Sequence, residues 1–560
     1  MRLIAAARRA SPRFWSVATQ VPYRPMGVFF SEALALVAMV EMVGATHLIE
    51  SGTAQGQSTE LLARFFEGTP LRIITIDRDS LYGLHAQTSR RLARWPAVRC
   101  LKGDSFELVP KLLEGLPPGS RAVVFVDGPK GRLGLRLATL ALRHRSVGLV
   151  ALHDTAAVWD DGPSLHEELR GLNQTVLMTS LSPYRPIFAP LDAAHDEPAV
   201  LRAEYAQHNW PKRRIAPILS YGNGLWIGAR PGTLGGSEAR NLTGSDAANA
   251  RRMTYGARSH VAMSASANQF AGLFACIISL VDAALYPHAL TVHLFVLGSA
   301  RPRASQILRC LRGAGHLRGA QVRLHTFDPT RYTLTRGKRA GAATNYLRFY
   351  LPELLPRVAK VVWVDADGLV FGDVGQLAER ALVGEHARSP IAAVLRPQKT
   401  VTVATGLLAA QLQLLGLSGV SPSAPVFNAG LLVLGLALWR EEHVTQQLES
   451  LVVRLSRQKF KGFPGMSTEV DSQTPLVLLF HNTTTATRPT IQALPSDWNV
   501  EGLGWKGAGR HARFKVPPAD LCAGRYLHWS GKHKPWDGAG AYAKLWLQYV
   551  APLRACLHGQ

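Results

Sequence analysis

Two long stretches of the chain alternate short apolar runs with helical patterns, and this alternation constrains the fold more than any other feature. Apolar runs of about four to eight residues predict buried strands, and helical patterns between such strands predict layered α/β domains. Residues 232–259, rich in glycine, alanine and serine, separate the two stretches and are typical of a linker. A chain of 560 residues also exceeds what one core usually supports. We therefore expect a basic N-terminal segment (1–24), a first domain (25–231) and a second domain (260–553).

The strand-like runs predict a sheet in each domain. Those of the first domain are residues 46–50, 72–77, 98–102, 122–127, 147–153 and 222–227. Those of the second domain are residues 261–264, 290–297, 322–326, 360–364, 391–395 and 429–434, with helical patterns at 270–285, 304–314 and 342–351. The first set predicts a Rossmann-like, doubly wound sheet, in which ligands bind beyond the carboxyl ends of the strands.

The composition limits the classes of function. Lys and Arg outnumber Asp and Glu by 63 to 39, so the surface attracts anions such as nucleotides, phosphates or acidic glycans. No nucleic-acid reading motif is recognisable, and a nucleic-acid partner is not expected. The 5 cysteines are scattered without a CxxC pair, which argues against a disulfide framework or a zinc ribbon.

The sequence leaves the compartment open. It has no apolar run of about 18 residues, so we expect no transmembrane segment. The first 31 residues are arginine-rich and lack the apolar core of a signal peptide. Cytoplasm and Golgi lumen both remain possible locations, and the oligomeric state is not predicted.

A glycine-containing turn in the first domain predicts a cofactor site. Residues 48–58 (LIESGTAQGQS) lie between a predicted strand and a predicted helix, and their glycines allow a ligand to approach the backbone. An acid at the end of the next strand can accept both hydroxyls of a ribose. The residues assigned to cofactor binding here are Glu50, Gly52, Gly56, Asp77 and Asp104.

These motifs resemble the class I S-adenosylmethionine-dependent methyltransferases, most closely the catechol-type O-methyltransferases. The family pattern D-x-x-K matches residues 127–130, and a further family acid matches Asp154. The resemblance implies S-adenosylmethionine as cofactor, a divalent cation on Asp127 and Asp154, and Lys130 as a general base. The third ligand of the family, an asparagine, is replaced by Thr155. Helix capping by the acids, without metal chemistry, is the alternative.

The second domain carries the sharpest signal, residues 361–367 (VVWVDAD). Two acids at strand spacing point to the same side, and such a pair is costly unless a positive charge lies beside it. A divalent cation that holds a diphosphate meets this need. Three more segments accompany the pair: 345–352 (NYLRFYLP), 427–430 (FNAG) and 528–536 (HWSGKHKPW).

Together these segments resemble glycosyltransferase family 8, which implies the GT-A fold. The resemblance implies that Mn²⁺, or Mg²⁺, binds Asp365, Asp367 and His528. The remaining residues that it places at the donor sugar, the diphosphate or the reacting face are Arg348, Asn428, Gln473, Gly531 and Lys534. It also implies a UDP-sugar donor, a glycan or other hydroxyl acceptor, and retention of configuration.

The sequence departs from this family at one place. The first strand of family members usually ends in an acid that meets the uracil, but Ala267 stands there, followed by Asn268. We expect a metal-dependent hexosyltransferase that carries an S-adenosylmethionine-binding, methyltransferase-like domain. Two alternatives remain: a protein that is mainly an O-methyltransferase, and a binding protein with decayed catalytic sites, which Thr155 and Ala267 favour.

Overall fold

The computed structural model describes residues 2–21, 28–78, 85–155, 168–169, 172, 175–178, 225–229, 258–284, 286–336, 338, 340–457, 471–482, 491–504, 516, 518–537, 541–550 and 553–558. The chain divides into two compact units. The first contains residues 1–254 and 517–523, and the second contains residues 255–516 and 524–560. Apart from its last two residues, the expected linker lies outside the described part, so its flexibility stays a prediction.

The first unit is built on a seven-stranded sheet. Its strands are β1 (His47–Ser51), β2 (Arg72–Asp77), β3 (Val98–Lys102), β4 (Ala122–Val126), β5 (Val147–Leu152), β6 (Thr175–Met178) and β7 (Trp226–Ala229), in the order β3-β2-β1-β4-β5-β7-β6. The first five are parallel, and β7 is antiparallel to both of its neighbours. The helices of this unit are Arg2–Ala18, Phe30–Val43, Gln57–Phe65, His85–Leu92, Ser105–Glu114, Gly131–Leu142 and Pro518–Ala523.

The strand at the centre of this sheet is fully buried. All five residues of β4 are buried, as expected for a parallel strand that is covered on both faces. The helix Phe30–Val43 is buried along most of its length, and of its two acids Glu32 is buried whereas Glu41 is exposed. The strand order confirms the Rossmann-like sheet, and the late strand lies at Trp226–Ala229 rather than 222–227.

The second unit has a second seven-stranded sheet and a two-stranded one. Its strands are β8 (Ser259–Ser264), β9 (Leu290–Leu297), β10 (Gln321–Phe327), β11 (Val361–Val364), β12 (Gly368–Val370), β13 (Ile391–Thr400), β14 (Pro425–Leu434), β15 (Ile491–Ala493) and β16 (Tyr526–His528). The large sheet runs β10-β9-β8-β11-β14-β13-β15, and β12 pairs with β16. β14 is antiparallel to β11 and β13.

The longer helices of the second unit are Phe270–Ala283, Arg301–Gly313, Ala340–Tyr346, Val374–Arg380, Val444–Arg457, Thr474–His481 and Ala543–Val550. Shorter helices are Leu351–Leu354, Val401–Thr405, Ala409–Leu414, Leu436–Glu441 and Arg554–His558. The single helix expected at 342–351 is wrong, because a 3-10 turn (Leu347–Tyr350) interrupts it before Pro352, which lacks a backbone N–H.

The cysteines and the apolar helices were also considered in the sequence. Cys310 and Cys556 form a disulfide between the helices Arg301–Gly313 and Arg554–His558, a pair that the cysteine spacing did not indicate. Within the described residues, no helix combines the length and the apolar character needed to cross a membrane.

Candidate functional site

The two acids of the VVWVDAD segment lie in the turn that follows β11, not in the strand itself. β14 runs beside this turn, and the Asp365 backbone N–H donates to the Gly430 carbonyl at 2.8 Å. β16 pairs with β12 so that His528 stands opposite Gly368. One ligand atom each from Asp365, Asp367 and His528 therefore lies within 4.8 Å of the others, although His528 is far along the chain.

Asp367 is surrounded by positive or hydrogen-donating groups. Its Oδ1 lies 3.1 Å from His528 Nε2, and its Oδ2 accepts from Lys534 Nζ at 2.5 Å. Lys534 also donates to the Trp529 carbonyl at 2.9 Å, which fixes its ammonium beside the acid. Burial alone would raise the pKa of Asp367, but His528 and Lys534 outweigh burial and hold it well below its usual value.

Asp365 is held from the opposite direction by an indole and a guanidinium. Trp363 Nε1 donates to Asp365 Oδ1 at 2.7 Å, and Arg348 Nη2 lies 3.7 Å from the same oxygen. The Arg348 guanidinium also lies over the Trp363 ring, 5.0 Å from its centroid. Because Arg348 donates to the carbonyls of Asn345 and Ala429 as well, this buried arginine braces the acid turn from within.

The FNAG segment packs against the same site. Gln473 Oε1 accepts the Ala429 N–H at 3.0 Å, and Asn428 Oδ1 accepts the Gly430 N–H at 2.8 Å. A Cβ on Gly430 would stand 2.2 Å from His528 Cε1, so this position leaves no room for a side chain beside the imidazole. Gln473 is thus hydrogen-bonded to the backbone of this segment, and Asn428 is hydrogen-bonded to the glycine that faces His528.

The remaining predicted residues of the second unit lie on loops. Gly531 has a positive φ of 119°, which favours glycine, and it precedes Lys534 in the loop after β16. Ala267 and Asn268 are exposed in a 3-10 turn after β8, and Asn268 Oδ1 accepts from the Ser266 hydroxyl at 2.6 Å.

In the first unit the predicted cofactor residues form a connected turn. Buried Glu50 accepts the hydroxyls of Ser58 and Thr59. Burial raises the pKa of Glu50 to about 7, against the opposing effect of these hydroxyls. Asp77 Oδ2 accepts the Ala54 N–H at 2.7 Å, which ties the glycine turn to the end of β2.

Glycine is required where this turn meets β4. Gly52 has φ of 100°, and a Cβ there would lie 2.7 Å from the backbone nitrogen of Gly128. Gly56 also has a positive φ, of 67°, at the start of the next helix. Asp104 caps the helix Ser105–Glu114 by accepting the Phe106 N–H at 2.7 Å, and it pairs with Arg78. Asp104, assigned to the cofactor site from the sequence, is therefore also the N-cap of this helix.

A cluster of five charged side chains lies at the ends of β4 and β5. Lys130 Nζ contacts Asp127 Oδ1 and lies 2.5 Å from Asp154 Oδ2. His153 Nδ1 lies 2.6 Å from Asp127 Oδ1, and His153 Nε2 lies 2.8 Å from Glu32 Oε2. Burial alone would lower the pKa of His153, but Asp154, Glu32 and Asp127 raise it well above its usual value.

This cluster fits the expected divalent cation poorly. Asp127, His153 and Asp154 are close enough together to ligate one ion. However, the Lys130 ammonium already bridges both acids, and the raised pKa of His153 between Glu32 and Asp127 means that both of its nitrogens carry hydrogens. No lone pair of the imidazole then remains for a metal, and we derive no catalytic step through a cation here.

Glu32, Trp363 and Asn499 are among the side chains at these two sites that the sequence did not indicate. Glu32 is one acid in an apolar helix, and its partner His153 follows 121 residues later. In the sequence, Trp363 is one of several apolar residues in a predicted buried strand. Asn499 ends a 3-10 turn (Ser496–Asn499) and lies 3.2 Å from His528 Nδ1. No spacing in the sequence joins these residues to the site.

The profile of the family described as Glycosyl transferase family 8 matches residues 260–540, half of the chain. The chain belongs to glycosyltransferase family 8. One curated relative, the Glycosyltransferase 8 domain-containing protein 2 of Macaca fascicularis, is 28% identical over 222 residues, which are 37% of this chain and 58% of the relative. The chain thus spans less than two thirds of that relative's length.

Two solved structures show similarity to parts of this family 8 chain. The galactosyltransferase LgtC, in complex with donor and acceptor sugar analogues, is 20% identical with a TM-score of 0.38, covering 53% of this chain and 96% of LgtC. The O-methyltransferase TomG from Streptomyces achromogenes, in complex with SAM, is 18% identical with a TM-score of 0.25, covering 40% of this chain and 89% of TomG. The methyltransferase structures match the N-terminal part.

Proposed function

We propose that the second unit is a metal-dependent glycosyltransferase that transfers a hexosyl unit from a UDP-sugar to an acceptor hydroxyl with retention. The observation that carries this proposal is the convergence of Asp365, Asp367 and His528 within 4.8 Å in a chain of family 8. Two carboxylates and an imidazole suit Mn²⁺, with Mg²⁺ as the other candidate. A bound cation would act as a Lewis acid on the diphosphate.

The other residues of the site act on charge and orientation. The Lys534 ammonium, held beside Asp367, would bind the diphosphate as negative charge develops on it. Trp363 and Arg348 keep the Asp365 carboxylate in one orientation. In transfer, the bond from the anomeric carbon to the diphosphate breaks, a bond to the acceptor oxygen forms, and the leaving diphosphate takes the acceptor proton. Asn428 and Gln473 would contact the sugar during this step.

The test is UDP-sugar turnover by the full chain with and without Mn²⁺. Asp365→Asn removes one negative charge at nearly constant volume, and we expect it to abolish Mn²⁺-dependent turnover while the chain stays folded. Glu385→Gln, at a highly exposed acid of the same unit, is the matched control and should change nothing. Equal turnover in Asp365→Asn and wild type would refute the proposal. Mn²⁺-dependent binding of UDP-sugars without any turnover would instead support the binding-protein alternative.

We also propose that the first unit binds S-adenosylmethionine at the turn formed by Glu50, Gly52 and Gly56. The close approach of Gly52 to β4 and the bond from Asp77 to this turn support a preformed ligand site. Calorimetry on the full chain with S-adenosylmethionine and its demethylated product tests this. Asp77→Ala should weaken binding at least tenfold, whereas Glu67→Ala, at an exposed acid of the same unit, should not. Absence of binding by the wild-type chain would leave this unit without the proposed cofactor.

A further inference from the structure

We infer that Asn499 is a positioning residue, which fixes the imidazole of His528 so that Nε2 is the nitrogen offered to a cation. The inference rests on the proposed function, because it concerns the same cation site. Asn499 and His528 are both buried, at 6% and 3% exposure, so water does not decide their orientation. Their hydrogen-bond partners decide it.

The donor and acceptor of each hydrogen bond can be assigned in order, beginning at the FNAG segment. The Gly430 backbone N–H donates at 2.8 Å to the side chain of Asn428, so the accepting atom is the oxygen Oδ1. Asn499 Nδ2 lies 3.1 Å from this oxygen and 3.4 Å from the Asn428 backbone carbonyl. Because both neighbours are acceptors, the NH₂ group of Asn499 is the end that points toward Asn428.

The other end of the same amide sets the imidazole. Asn499 Oδ1 then faces His528 Nδ1 at 3.2 Å, and an amide oxygen can only accept. His528 Nδ1 therefore carries a hydrogen, and Nε2 faces Asp367 Oδ1 at 3.1 Å. Two electron-rich atoms at this distance require a proton or a cation between them. Histidine ligands commonly donate their outer N–H to such a fixed acceptor, which orients the ring toward the metal.

The backbone supports this arrangement. Gly430 supplies the N–H that begins the network, and its missing side chain leaves the space that the His528 ring occupies. One glycine thus both orients Asn428 and admits the imidazole. The network links three separate segments: β14, the turn Ser496–Asn499 and β16.

The experiment compares two substitutions at Asn499 in the full chain. Asn499→Leu has nearly the same volume but no acceptor, and Asn499→Gln keeps a neutral amide that can accept from His528 Nδ1 and donate to Asn428. Mn²⁺ binding is followed by the electron paramagnetic resonance of the free ion. The Mn²⁺ that wild type binds and Asp367→Asn does not is the ion assigned to this site. We expect Asn499→Leu to weaken Mn²⁺ binding about 10- to 100-fold and Asn499→Gln to keep it within a few-fold of wild type.

The outcomes separate this inference from the proposed function. If wild type and Asp367→Asn bind the same amount of Mn²⁺, no ion binds at the proposed cation site, and the proposed function is wrong. If wild type and a folded Asn499→Leu bind Mn²⁺ equally, the cation site stands and the role of Asn499 is wrong. Nitrogen-15 spectra of histidine-labelled wild type decide the case even if Asn499→Leu fails to fold. The inference would be overturned if His528 were neutral with its hydrogen on Nε2. It would be supported if Nδ1 carried the hydrogen and added Mn²⁺ broadened the resonance of Nε2.

Discussion

The two units each bring together two carboxylates and one imidazole beside a lysine, yet the lysine is placed differently in the two clusters. In the first unit the lysine lies between the acids, since Lys130 contacts both Asp127 and Asp154. In the second unit Lys534 contacts Asp367, while Asp365 is held by an indole N–H instead. The same set of donor types thus forms a closed ion network in the first unit and the proposed cation site in the second.

The partner of the outer imidazole nitrogen accounts for much of this difference. Against the effect of burial, Asp154, Glu32 and Asp127 raise the pKa of His153 well above its usual value, so it carries a hydrogen on each nitrogen and has no lone pair for a metal. His528 has a neutral amide, Asn499, on its outer nitrogen. A list of histidines and acids therefore does not identify a metal site until the groups behind them are known.

The largest expected effect tests whether the first cluster is a closed ion network. Glu32→Ala leaves the His153 cation buried without one of its two flanking carboxylates. Because breaking a buried ion pair from one side is costly, we expect the free energy of unfolding of the first unit to fall by about 3–5 kcal/mol. Urea unfolding of the full chain, followed by proteolysis and mass spectrometry of first-unit peptides, measures this. A loss no larger than that of Glu67→Ala would contradict the network.

The second prediction concerns the lysine of the other cluster. Lys534→Met keeps most of the side-chain volume and removes the ammonium beside Asp367. If that charge stabilises the leaving diphosphate, turnover should fall about 10²–10³-fold, as for other single groups that stabilise developing charge. Lys532→Met is the matched control, because Lys532 is exposed in the same loop, and it should leave turnover unchanged. Equal losses in both variants would point to a general effect of loop charge.

The sequence predicted the second cluster better than the first for a physical reason. An apolar strand that ends in two acids is a local pattern, and a loop with His528, Gly531 and Lys534 is another. Both patterns are readable without knowing the fold. The Rossmann-like sheet was predictable in the same way, because β1, β2 and β4 are short apolar runs with turn residues at their ends.

Contacts between distant segments were not predictable. Glu32 belongs to an apolar helix, and only the fold shows that it meets His153. Asn499 stands in a turn without periodicity, and its role depends on both Asn428 and His528. The expected metal at Asp127 and Asp154 came from a resemblance of spacing, which carries no information on where the Lys130 ammonium lies.

The third prediction concerns Lys130, which bridges the two acids of the first cluster. Lys130→Met should remove the charge that competes with a cation between Asp127 and Asp154. In an Asp367→Asn background, which removes a ligand of the cation site proposed for the second unit, we expect Lys130→Met to strengthen Mn²⁺ binding at least about tenfold, or about 1.4 kcal/mol. Calorimetry with Mn²⁺ on the full chain measures this. If the Asp367→Asn chain already binds Mn²⁺ tightly, the first cluster holds a cation despite its lysine.

The smallest expected effect is a pH dependence of opposite sign in the two units. In the second unit, His260, His293 and His325 lie in a row on β8, β9 and β10, with nitrogens of neighbouring rings 3.0 Å apart. Burial lowers the pKa of His293 to about 3, with smaller contributions from His325, His260 and Arg323. A lowered pKa means that below about pH 6.5 the unfolded chain binds a proton that the folded unit does not. Acidification should therefore destabilise the second unit.

The first unit should respond in the other direction. The pKa of His153 is raised well above its usual value, and burial raises that of Glu50 to about 7. Both groups then bind protons more readily in the folded unit, so their stabilisation is complete at low pH and is lost as the pH rises through their folded pKa values. Between pH 7.5 and 5.5 the first unit should gain, and the second unit lose, on the order of 1 kcal/mol.

Urea unfolding of the full chain at pH 7.5 and 5.5, with proteolysis reporting on peptides of each unit, measures both free energies in one sample. His293→Asn should flatten the response of the second unit, because the side chain that replaces the imidazole does not titrate. Its effect on the first unit should be absent. A shift of both units in the same direction would show that overall charge, rather than these particular side chains, controls the response to pH.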